Sequence, residues 1–226
     1  MTGAAPAGRT SAVLRARAAD VWEAQHRHPF VTGVGSGILP LATFGFWVRQ
    51  DYLFLVEYGR ALALAAARAP DLATMRRLAE LAHETLGTEM DLHRSFCGDL
   101  GITPADLEEE AMAPTTRAYT DFLVRTAAQA DFAEVAAALL PCMWGYSEIG
   151  RRLAEGPRPG DPRLAAWIDM YASDEFAALA DWCREVVDAA GDDAGPRTRE
   201  AMARAFVASS RYELAFWQMA LDERPG

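Results

Sequence analysis

Cys142 is the residue of this chain best placed for covalent chemistry. It follows Pro141 inside an otherwise helical pattern, Leu139-Leu140-Pro141-Cys142. A proline there deletes one backbone hydrogen bond and bends the helix, and such breaks often mark functional sites. Tyr146 lies one turn further on the same face. A free thiol titrates near ~8.5, so a nucleophilic cysteine needs a base or donors that favour thiolate. The plain alternative is a small buried hydrophobe, and Cys97 and Cys183, without such neighbours, fit that description.

Two carboxylates fall on apolar stripes. Phe44, Val48, Asp51, Leu55, Tyr58 and Leu62 share one helix face by their three-and-four spacing, with Asp51 in its middle. Met202, Phe206, Ser209, Glu213, Phe216 and Ala220 make another, centred on Glu213, and Leu139, Cys142, Tyr146, Ile149 and Leu153 a third. The helix expected over Leu164 to Val187 adds Leu164, Ile168 and Tyr171, with Glu175 further along. Either carboxylate alone is compatible with a structural role, satisfied by an arginine or a helix end. Together with the cysteine face they mark a pocket built from facing helices. Tyr119, Tyr146 and Tyr171 are its candidate aromatic walls, since a buried phenol needs a partner and stacks on flat ligands.

A metal reading competes. Di-iron bundles use inward glutamates and two Glu-x-x-His pairs, and Glu80-Leu81-Ala82-His83 supplies one such pair; no second exists. His26, His28 and His93 are scattered, and there is neither a glycine-rich phosphate loop nor a nucleophile elbow. The expectation is a site with no metal and no cofactor.

The elements that must position these groups are helices. At 226 residues the chain has the length of one domain. Residues 1–10 are expected to be a disordered leader and 11–226 a single helical domain. A first helix should end at His28-Pro29, because proline disfavours helix in the residue before it, and Thr32 to Leu39, with three glycines, is expected to be a loop. From Leu41 the pattern is helical almost to the end, broken at Pro70-Asp71, Gly98 to Pro104, Pro114, Gly156 to Gly160 and Gly191 to Pro196. The fold class is therefore all-α, a bundle of seven or eight helices.

Composition narrows the partners. All 22 basic residues are arginine against 32 acidic ones, giving a net charge of -10. That sign disfavours nucleic acid and suits a small cation. No run approaches the ~18 apolar residues of a membrane span, and three irregularly spaced cysteines make no disulfide framework. No membrane partner and a reducing cytoplasm are expected.

Several separated motifs, in order, then resemble one family. They are His28-Pro29-Phe30-Val31, Gly37-Ile38-Leu39-Pro40, Gln50-Asp51-Tyr52-Leu53, Leu139-Leu140-Pro141-Cys142 and Tyr212-Glu213-Leu214-Ala215-Phe216-Trp217. From about residue 10 to 222 the chain resembles TenA, the thiaminase II family, in its cysteine-containing subgroup. The resemblance implies a haem-oxygenase-like helical fold without haem, a homotetramer, and hydrolysis of an aminopyrimidine in thiamin salvage. The substrate would be 4-amino-5-aminomethyl-2-methylpyrimidine or thiamin, and the product the hydroxymethylpyrimidine. It also implies Cys142 as nucleophile and Glu213 as proton donor to the ring nitrogen. Asp51 would bind the amino-pyrimidine edge, and Tyr146, Tyr171, Tyr119 and Phe216 would line the pocket. Where the family often has a tyrosine that helps activate the cysteine, three residues after the aspartate, this chain has Phe54. The alternatives are a metal-dependent or cofactorless oxidase on the same fold, with Glu80 and His83 as ligands, or a non-catalytic pyrimidine-binding protein.

Overall fold

The computed structural model describes residues 8–222, so most of the expected leader, residues 1–7, lies outside the described residues. Every described element is helical. The order is α1 (Thr10–Arg17), α2 (Ala19–His26), α3 (Pro29–Ser36), α4 (Leu41–Ala67), α5 (Leu72–Glu84), a π turn (Thr85–Glu89), α6 (Met90–Asp99) and α7 (Pro104–Glu109). Then follow α8 (Pro114–Gln129), α9 (Phe132–Ala154), α10 (Pro162–Ala172), α11 (Asp174–Asp192) and α12 (Pro196–Asp222). Three long helices, α4, α9 and α12, carry the three faces identified in the sequence. Around them α9 packs on α10, α11 and α12, while α4 packs on α5, α6 and α8. No single helix among the described residues is long and apolar enough to cross a membrane.

The helices are more numerous than the seven or eight expected, because caps divide what periodicity alone leaves continuous. Leu164 to Val187 is two helices, not one. Ser173 leaves the helical conformation and its side chain accepts from Phe176 N, capping α11. Glu175, expected inward, consequently lies exposed in the first turn of α11.

The expectation of a loop over Thr32 to Leu39 is also corrected. Residues 29–36 form α3, because Pro29 occupies its first turn, His28 caps it by accepting from Phe30 N, and the helix ends only at Gly37. Gly37 has φ 73°, the left-handed conformation that glycine adopts without strain and that commonly ends helices. The His28-Pro29 step does end the preceding helix, as expected.

The core is aromatic at its centre. Trp47, Trp167 and Trp217 are fully buried, with Trp47 stacked on Trp217 at 5.8 Å and edge-on to Trp167 at 5.9 Å. Rings of this size bury 150–250 Å² each, so this layer ties α4, α10 and α12 together as a floor. Tyr146 of α9 packs on it, 5.0 Å from Trp217. A second cluster of Leu14, Trp22, Leu140, Met202 and Phe206 fastens α1 and α2 to α9 and α12.

Candidate active site

Above the tryptophan floor the three long helices bring Asp51, Cys142 and Glu213 together, and the electrostatic influence of both carboxylates reaches the thiol. Cys142 is hemmed in by protein on all sides and yet keeps accessible surface, unlike the buried Met143 beside it. The expected walls are present. Phe54 lies 4.9 Å from the ring of Tyr119 and 5.7 Å from Phe216, and Tyr146 lies 4.9 Å from Tyr171.

Glu213, 2 % exposed, is held by Tyr119, whose hydroxyl donates to Oε1 at 2.6 Å. With its one proton so used, Tyr119 accepts from Ser209 Oγ at 2.9 Å. Burial pushes the Glu213 carboxyl up to about 8; the tyrosine bond pulls the other way and loses. Near neutral pH this residue holds a proton, as a donor must.

Asp51 has a partner that the sequence did not disclose. Its Oδ2 lies 2.6 Å from Nε2 of His93, and Nδ1 of the same ring is 2.9 Å from the backbone carbonyl of Glu89. A carbonyl only accepts, so Nδ1 carries a proton, and Nε2 faces the Asp51 carboxyl, a placement that favours the charged ring. Burial works against that charge, but Asp51 and Glu89 outweigh it and raise the His93 pKa overall. The pair fixes Asp51 and leaves Oδ1 for a ligand.

Glu89 is the second residue missed. It closes the π turn, and its carboxyl accepts from the Tyr171 hydroxyl at 2.9 Å. Burial raises it to about 7; His93 opposes that rise, Asp51 adds to it, and the Tyr171 bond opposes it. The available signal was Glu89-x-x-x-His93, one helical turn apart beside a π turn, an irregularity frequent at functional sites. Neither residue follows an evident apolar stripe, because the π turn shifts the register there.

Cys142 itself does not rest as a thiolate. Burial holds its thiol well above the ordinary range, and Glu213, Glu89 and Asp51 add to this; only a bond from Tyr58 favours the anion. The sequence expectation of a local device favouring thiolate is thus met by one group and opposed by four effects. Tyr58 follows Phe54 by four residues on the same helix. One turn on from Phe54 and stacked on it at 5.5 Å, it has a single hydroxyl proton, which Leu139 O at 3.0 Å shares with the thiol. Burial pushes Cys97 up to about 11 and Cys183 up to about 12, in keeping with their reading as inert.

The proposed metal pair falls elsewhere. Glu80 and His83 are exposed on α5, where Glu80 pairs with Arg77 at 3.2 Å. Among the described residues no group of three or more His, Cys, Asp or Glu side chains is arranged to hold a metal ion.

One thiol, an acid-form carboxyl, an ion-paired aspartate and several phenols thus meet inside a helical bundle. The comparisons agree on one lineage. The sequence model of the TENA/THI-4/PQQC family matches residues 15–223, and the chain belongs to that family. The aminopyrimidine aminohydrolase of Halalkalibacterium halodurans is 41% identical, over 95% of this chain and 96% of that protein. That of Bacillus subtilis is 37% identical, over 91% and 87%. A solved TenA homologue from P. horikoshii superposes with TM-score 0.88 at 32% identity, covering 95% of this chain and 99% of that one. The fold is of the haem-oxygenase type: a Shewanella denitrificans domain described as having a heme oxygenase-like fold matches with TM-score 0.73 at 15% identity, over 93% and 91%.

Proposed function

We infer that the chain is an aminopyrimidine aminohydrolase of thiamin salvage. It would convert 4-amino-5-aminomethyl-2-methylpyrimidine, or thiamin, to the hydroxymethylpyrimidine with Cys142 as nucleophile. The observation that carries the reading is a hemmed-in, accessible thiol facing a carboxyl that keeps its proton near neutrality.

Asp51 Oδ1 receives the amino-pyrimidine edge, with His93 orienting the carboxyl group through Oδ2. Tyr146 and Tyr171, packed on each other, wall one side of the ring, while Tyr119, Phe54 and Phe216 close the side next to Glu213. Glu213 donates a proton to the ring nitrogen, and the thiol adds to the adjacent ring carbon. The net transfer is of one proton from sulfur to nitrogen, with Glu213 recharged by the thiol, so a thiol held protonated at rest is no obstacle. Electrons pushed back from the ring expel the leaving group from the exocyclic methylene. Water adds there, and the carbon–sulfur bond then breaks as the proton returns. This is nucleophilic catalysis with acid–base assistance.

The same proposal includes a cytoplasmic location, which three free cysteines suit, and a homotetramer, which light scattering would check. The test of function is mass-spectrometric product analysis with aminomethylpyrimidine and, separately, thiamin, using Cys142→Ser as control. Hydroxymethylpyrimidine formed by the wild type and not by an equally helical serine variant is the expected result. A serine variant near the wild-type rate would exclude the mechanism.

A further inference from the structure

Of the three carboxyls within electrostatic reach of the thiol, Glu213 is engaged by Tyr119 and Asp51 by His93, while the third, Glu89, has no task in the ring chemistry. Its position differs from theirs. Glu89 lines an outward cleft of about 530 Å³ between the π turn and α11, and Met143, the neighbour of Cys142, lines the same cleft. Met170 and Phe176 supply apolar wall, and Glu84, Glu175 and Arg77 stand around it. Arg77 is drawn aside by Glu80 and Glu84, at 3.2 and 3.8 Å. The residue surface of Glu89 is part open, although its carboxyl reaches inward to the Tyr171 hydroxyl. It therefore stands between the thiol, which its charge reaches, and a cleft that also borders the cysteine helix at Met143. Glu89 bears on both Cys142 and Tyr171, so it borders the space between them.

We propose that Glu89 is the acid of the leaving-group side, binding the exocyclic nitrogen of the substrate and giving it the proton with which it departs as an amine. This rests on the aminohydrolase reading. The carbon–nitrogen bond at the methylene breaks with its electron pair going to nitrogen, and the Glu89 carboxyl proton goes to the same nitrogen. Ammonia leaves through the cleft. Water then forms the carbon–oxygen bond and releases its proton to the cleft, from which Glu89 is recharged. The net change is amine plus water to alcohol plus ammonia. A carboxyl raised to about 7 suits an acid of this kind, since both its forms are populated near neutrality. His93 and Asp51 behind it, Tyr171 beside it, Cys142 and Tyr58 on the inner side, and Glu84, Glu175 and Arg77 around the cleft are the charged or titratable groups that bear on it.

The experiment compares Glu89→Gln with the wild type on aminomethylpyrimidine and on its N,N,N-trimethylammonium analogue, whose leaving group needs no proton. The amide still accepts from Tyr171 and escapes the pH-dependent loss that a buried carboxyl suffers, so the thermal midpoint near neutrality should be no lower than that of the wild type. The expected kcat loss is about 100-fold or more on the primary amine and less than about fivefold on the quaternary substrate, with Glu89→Asp recovering part of the former. Equal losses on both substrates, or no loss on the primary amine, would overturn the assignment. A wild type that turns over neither substrate would instead refute the aminohydrolase reading.

Discussion

Replacing Glu213 by glutamine should impair the reaction and stabilise the fold, and the second effect can be sized from the structure. The carboxyl is 2 % exposed and held at about 8, against an ordinary 4.5. Below pH 4.5 both folded and unfolded chains carry its proton and nothing is lost. As pH rises from there the unfolded chain releases the proton while the folded chain retains it, so stability falls until about pH 8 and then levels. Each pH unit in that window is worth about 1.4 kcal/mol, or about 3 kcal/mol by pH 7. Glutamine is neutral throughout, and its carbonyl still accepts from Tyr119, so the variant escapes this loss. Urea unfolding at pH 5 and pH 8.5, at one protein concentration, should show a steeper alkaline decline in the wild type than in Glu213→Gln. At pH 7 the difference corresponds to a rise in Tm of roughly 6–12 °C for a chain of this size. Turnover should fall about 10²- to 10⁴-fold, the span of general acid–base catalysis. Parallel pH dependences in the two proteins would refute the buried, protonated Glu213 on which the mechanism depends.

Other perturbations probe the remaining parts. Asp51→Asn should raise KM about tenfold or more, and NMR titration should find the His93 pKa lowered, because burial then acts without the aspartate; an unchanged KM would remove Asp51 from the site. Phe54→Tyr should preserve or raise kcat, since Tyr58 shares its one proton between the thiol and Leu139 O; a large loss would show a pocket rebuilt around phenylalanine. Gly150→Ala should lower Tm and kcat/KM together. Its new Cβ would lie 2.5 Å from the backbone carbon of Tyr171, and such overpacking costs about 1–3 kcal/mol. An unchanged Tm would mean that α9 and α10 separate freely at that point.

The wholly helical character of the chain followed from its sequence, because apolar spacing and Gly/Pro punctuation are local properties. So did the inward faces bearing Asp51, Cys142 and Glu213, since each is written along one unbroken helix. Helix limits decided by a single side chain, such as the Ser173 cap and the Pro29 start of α3, were blurred by the longer periodic pattern around them. Glu89 and His93 were hidden for another reason. What makes them functional is a neighbour on a different helix, Tyr171 for one and Asp51 for the other, across 82 and 42 residues of chain. The protonation states were decided by the tertiary structure alone. Burying one thiol among three carboxyls is a property of assembled helices, and it is what keeps protons on Cys142 and Glu213 that a solvated chain would hold far less tightly.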